Sequence, residues 1–104
     1  MHRVAHTVRN DTDAPADVLV EPWGMFLTLG AREAFQLEAE APEPGDLEII
    51  RGASIEIYLW PGAIVKVYSG DRLVYDTSGI PVPSVPPGMS IRQFMGLVGL
   101  DKIR

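Results

Sequence analysis

Ser54-Ile-Glu-Ile-Tyr-Leu-Trp-Pro-Gly-Ala-Ile-Val-Lys-Val-Tyr68 decides the fold class. Ile55, Ile57 and Leu59 fall on one side of an extended chain and Glu56, Tyr58 and Trp60 on the other, the period-two pattern of a strand with one buried face. Pro61 and Gly62 stop that strand, because proline cannot donate to a ladder and glycine loses too much backbone freedom in a sheet interior. A second β-branched run, Ile64 to Tyr68, follows at once. The corner has an earlier counterpart in Val18-Leu-Val-Glu-Pro-Trp-Gly24, so two strands end in Trp, Pro and Gly.

On either side of these corners the same period recurs. Val4, His6 and Val8 alternate with Ala5 and Thr7, and Asn10-Asp-Thr-Asp-Ala-Pro15 breaks the strand with side chains that satisfy local backbone groups. Residues 17–21 resume it. Met25, Leu27 and Leu29 alternate next, and Gly30-Ala31 turns the chain into 33–41. There the glutamates favour a helix, but Phe35, Leu37 and Ala39 alternate with Gln36, Glu38 and Glu40, and the period predicts a strand. Further strands are expected at 46–51, 54–60, 64–68 and 72–76, the last two joined by a hairpin turn at Ser69-Gly-Asp71. Spacing of this kind, without crossover helices, predicts a mainly β fold: an antiparallel β-sandwich or open barrel of about seven to eight short strands.

The C-terminal quarter has a different character. Gly79-Ile-Pro-Val-Pro-Ser-Val-Pro-Pro-Gly88 favours an extended, polyproline-like path. Ser90 and Gln93 then form the pattern of a capping box, predicting a short helix from 91 to 100. Residues 1–78 are accordingly read as the sandwich domain, and 79–104 as a Pro-rich arm and C-terminal helix packed on that domain or on a partner.

A chain of 104 residues makes one domain, able to bury roughly two-thirds of its unfolded surface. It contains no cysteine, which excludes disulfides, thiolate metal sites and cysteine nucleophiles. The first residues hold no apolar run suited to a signal peptide or a membrane span, so a cytoplasmic location away from membranes is expected. Net charge is −5, with acidic residues concentrated between Glu33 and Glu48, and such a balance repels nucleic acid.

Candidate chemistry is sparse. His2 and His6 lie four residues apart in an extended segment, about 13 Å along a strand, too far to share one ion. His6 reads as a histidine at the core edge, and no metal or cofactor is expected. The serines lack a nucleophile frame, and no glycine loop with a following lysine cradles phosphate. Asn10-Asp-Thr12 reads as turn chemistry.

The binding candidates are aromatic and apolar. Trp23, Tyr58 and Trp60 combine large apolar area with a polar handle and could either plug the ends of the sandwich or form a platform for a sugar or peptide. On a helical wheel Ile91, Phe94, Met95 and Val98 make a stripe about 100° wide, and Leu97 and Leu100 widen it beyond one core-facing side. That surplus predicts association with a protein partner or a second copy through 79–104, with Ile91, Phe94, Leu97 and Leu100 as its contacts.

Asn10-Asp-Thr12, followed by Leu19-Val-Glu-Pro-Trp-Gly24 and Gly30, resembles small uncharacterised bacterial β-domain proteins with an Asn-x-Thr turn and a Glu-Pro-Trp-Gly corner. The resemblance covers the first third of the chain and implies a compact bacterial β-domain without assigned activity. A cupredoxin-like arrangement of strands also fits, although the missing Cys and late His exclude a blue-copper site. The function expected from these observations is a non-enzymatic β-sandwich module that binds a protein partner or itself. Its alternatives are a small-ligand or carbohydrate binder using Trp23 and Trp60, and an enzyme with unrecognised carboxylate chemistry.

Overall fold

The computed structural model describes residues 1–98: two four-stranded sheets packed face to face, with one helix laid on the outside. In chain order the elements are β1 (His2–Arg9), β2 (Ala16–Glu21), β3 (Met25–Leu29), β4 (Ala34–Ala41), β5 (Glu48–Arg51), β6 (Ile55–Tyr58), β7 (Ile64–Ser69), β8 (Arg72–Asp76) and α1 (Ile91–Val98). One sheet has the order β1-β4-β7-β8 and the other β3-β2-β6-β5. The architecture is a sandwich, and the open-barrel alternative does not describe it.

Alternation explains the core. Val8, Val18, Val20, Leu37, Ile57, Val65 and Val67 are almost wholly enclosed between the sheets, and full burial of a side chain of this size contributes about 1.5–3 kcal/mol. The segment rich in glutamate is a strand, as its period predicts: Phe35, Leu37, Ala39 and Ala41 are buried while Gln36 and Glu38 are exposed. Burying four apolar side chains outweighs a helix propensity worth a few tenths of a kcal/mol per residue.

One pairing departs from the expected antiparallel plan. β2 and β6 run parallel, with Val18 beside Ile55 and Val20 beside Ile57. The chain between them passes through β3, crosses to the other sheet for β4, and returns through β5, so a parallel neighbour arises without a crossover helix. Sequence periodicity reports which side a residue faces and carries nothing about strand direction.

The register also places both Trp corners at one end of the sandwich. β2 and β6 end side by side at Glu21 and Tyr58, where β5 begins at Glu48. Four connections gather there: the β2–β3 corner, the β4–β5 loop, the β6–β7 corner and the exit from β8. At the opposite end Asn10 is the organiser. Its buried amide nitrogen donates to Ala14 O, Leu29 O and Gly30 O at 2.8, 3.2 and 3.1 Å, and its carbonyl accepts from the backbone and hydroxyl of Thr12 at 3.1 and 2.7 Å. The Asn-x-Thr motif is thus turn chemistry, and it ties the β1–β2 loop to the end of β3.

The described part of the arm is docked on its own sandwich. Val82 exchanges backbone hydrogen bonds with the β6–β7 corner, Gly62 N donating to Val82 O at 2.8 Å and Val82 N to Ala63 O at 2.9 Å. The capping box is formed: Gln93 N donates to Ser90 Oγ at 3.1 Å, and Ser90 N to Gln93 Oε1 at 2.9 Å. Ile91 and Met95 enter the core cluster, and Arg92 pairs with Glu48 at the start of β5. Glu48, Tyr58 and Glu21 form one row across the outward side of their sheet, because Ile49, Ile57 and Val20 form the inward row. Tyr58 and Glu21 are nevertheless buried. The helix therefore makes a third layer over that corner of the sheet.

Candidate binding surface

Both tryptophans act as ties. Trp60 follows β6 and is only 8 % exposed. Its indole N–H donates to Glu43 O at 3.1 Å, and its ring lies against Gly45, where a Cβ would sit 2.1 Å from Cδ1. Glycine at 45 is the condition for this contact. Trp23 is half-buried, and its N–H donates to Ile80 O at 2.7 Å. One indole holds the β4–β5 loop and the other holds the arm.

Tyr58 lies beneath the helix layer, and its hydroxyl donates to Glu56 Oε1 at 2.6 Å. The alternating reading of 54–60 left the side of Tyr58 and Trp60 uncommitted, whereas the structure buries both sides. β6 is a central strand enclosed by the other sheet and by α1, and such strands lose the exposed half of their alternation. Of the helix candidates, Ile91 is buried, Phe94 half-buried and Leu97 72 % exposed; Leu100 lies outside the described residues. An open aromatic platform of Trp23, Tyr58 and Trp60 is absent from the described residues.

The ionisable groups do not converge. His6 meets Asp46, Nε2 to Oδ1 at 3.2 Å, at the core edge where the sequence places it. Among the described residues no group of three or more His, Asp or Glu side chains is arranged to hold a metal ion. A trough of about 490 Å³ crosses the outer face of β1, β4 and β7, lined by Arg3, Glu38, Glu40, Lys66 and Tyr68 around the small side chain of Ala5. Its charges are of both signs, and Arg3 pairs with Glu40 at 3.2 Å. Asp76 is held below its ordinary carboxylate value, chiefly by the hydroxyl of Ser78 and then by the Ser78 backbone N–H. Burial raises the phenol of Tyr75, which is neutral at physiological pH.

Besides the exposed Met1, Ile80 and Leu97, apolar surface is open on the side of the sandwich where β3 and β8 are the edge strands. Phe26 on β3 is 58 % exposed and Leu73 on β8 46 %. Half-buried Leu19 sits beside Phe26 on the outward face. Between the two edges runs a groove of about 250 Å³ lined by Leu27, Leu29, Phe35 and Val74 together with Glu33 and Arg72. Sequence reasoning did not single out this side. Its signal is the uncharged stretch Met25-Phe-Leu-Thr-Leu29, an edge-length strand with apolar residues on both faces.

No protein-family model matches the chain, and neither a curated protein nor a solved structure matches it. No helix among the described residues is long and apolar enough to cross a membrane.

Proposed function

We propose that this chain is a non-enzymatic β-sandwich module that binds another protein or a second copy of itself, through the side formed by β3 and β8. The observation that carries this reading is the bare edge of β3. Edge strands invite pairing, and proteins blunt them with charge, proline or bulges. β1 carries Arg3 and Arg9, β5 carries Glu48 and Arg51, and β8 has charged ends and a register irregularity beside Val67 and Tyr68. β3 has none of these devices, and its exposed Phe26 enlarges the apolar area beside it. The arm, in contrast, directs Ile91, Met95 and Val82 into its own core, which argues against 79–104 as the main docking element. A ligand platform built on the tryptophans is disfavoured by the backbone bonds that both indole N–H groups already make.

Two measurements test the reading together: scattering mass over a wide concentration range, and panning of a displayed random-peptide library. The wild-type chain should either gain mass with concentration or enrich extended apolar peptides, and Phe26→Glu/Leu73→Glu should abolish the effect. A monomeric chain that enriches nothing beyond the double variant overturns it.

A further inference from the structure

We infer that the partner of the β3 edge is a second copy of this chain, joined about a two-fold axis perpendicular to the sheets that passes midway between the two β3 strands at the level of Leu27. The inference rests on the binding role proposed above and adds the identity and geometry of the partner. Antiparallel pairing of β3 with its copy, centred on Leu27, sets Met25 opposite Leu29 and Phe26 opposite Thr28. All five residues of the strand then pair without a charge meeting a charge. The same operation acts on the other layer, whose edge strand β8 borders the groove through Val74 opposite Leu27 of β3.

The charges of β8 identify the occupant. This strand begins with Arg72 and ends with Asp76, both exposed, with Val74 midway. A two-fold at that level reverses one β8 against the other and directs Arg72 toward Asp76 of the second copy, twice over. Leu73 is then directed toward Tyr75 of the second copy. A surface whose ends carry opposite charges is complementary to its own reversed image, as an isologous interface requires. Ser78 donates to Asp76 and holds its carboxyl below the ordinary range. β3 supplies the ladder, and β8, blunted by its bulge, supplies the charge contacts that fix register.

The decisive experiment is a charge swap read by sedimentation equilibrium on the full chain. Arg72→Asp alone and Asp76→Arg alone should each weaken the dimer about tenfold or more by opposing like charges. The combined variant Arg72→Asp/Asp76→Arg should recover the wild-type constant. Phe26→Glu, at a position more than half exposed, should give a folded monomer whose unfolding transition no longer depends on protein concentration. Nitroxide labels attached through Thr28→Cys should lie much closer together in the dimer than labels at Lys66→Cys on the far sheet, and the absence of native cysteine makes both attachments unique. A dimer that survives Phe26→Glu, a double swap no tighter than the single variants, or closer labels at position 66 overturns the two-fold. A chain that stays monomeric yet enriches peptides in a Phe26-dependent manner overturns it too, while leaving the binding role intact.

Discussion

At Trp60 an aromatic ring, a glycine and a backbone carbonyl form one contact, and the energies follow from its burial. Trp60→Ala should cost about 3–5 kcal/mol, the range for emptying a buried aromatic site. Trp23→Ala should cost less, about 1–3 kcal/mol, because that ring is half in water. Gly45→Ala should destabilise by about 1–3 kcal/mol through overpacking, since the new methyl occupies the space of the indole. Chemical denaturation checks all three, and equal costs for the two tryptophans would contradict the difference in burial. Neither the Gly45 contact nor the choice of acceptors was legible in the sequence, since both depend on segments brought together across 15 or more positions of chain. The Asn10 turn was legible, because an Asx motif closes within two residues. At Asp76 the Ser78 contact lowers the folded-state pKa, so the stability it contributes is complete above the ordinary carboxylate range and is lost as pH falls through the lowered value. Ser78→Ala should therefore raise the Asp76 pKa in an NMR titration.

Among the elements, α1 shows how far local pattern reaches. The Ser90–Gln93 capping box and the paired positions Ile91 and Met95 were readable from spacing alone, and the structure forms both. The sheet on which the helix rests was not readable. Tyr58 and Glu21 are buried in the row that Glu48, the partner of Arg92 on α1, begins, and nothing within 54–60 signals a second covering layer. Two consequences are measurable. Ser90→Ala should cost about 0.5–2 kcal/mol by leaving a helix donor unsatisfied. Truncation after Ser78 removes the acceptor of Trp23, the strand-like partner of the β6–β7 corner and the cover over Tyr58, so the shortened chain should lose its near-ultraviolet circular dichroism and cooperative unfolding. A truncated chain that unfolds like the full one would show that the arm is dispensable to the core.

For the whole molecule, topology sets the rate of folding. β1 pairs with β4, β4 with β7 and β2 with β6, so half of the six strand pairings join distant segments, and β folds with many such pairings form in about milliseconds to seconds. Stopped-flow tryptophan fluorescence should place refolding in that window, and a microsecond phase carrying the full amplitude would contradict it. The two ends of the sandwich differ in kind: one gathers the Trp corners and the arm, while the other has the Asn10 network and short turns. The β7–β8 turn is one of the barest of these, with Gly70 at φ 63° and open space where its side chain would project. A foreign loop spliced between Gly70 and Asp71 would start at the tip of the turn and leave in place Ser69 and Arg72, which close the ladder and line the groove. That turn makes the chain a small, thiol-free display scaffold whose presented peptide leaves from the end opposite the Trp corners and the arm.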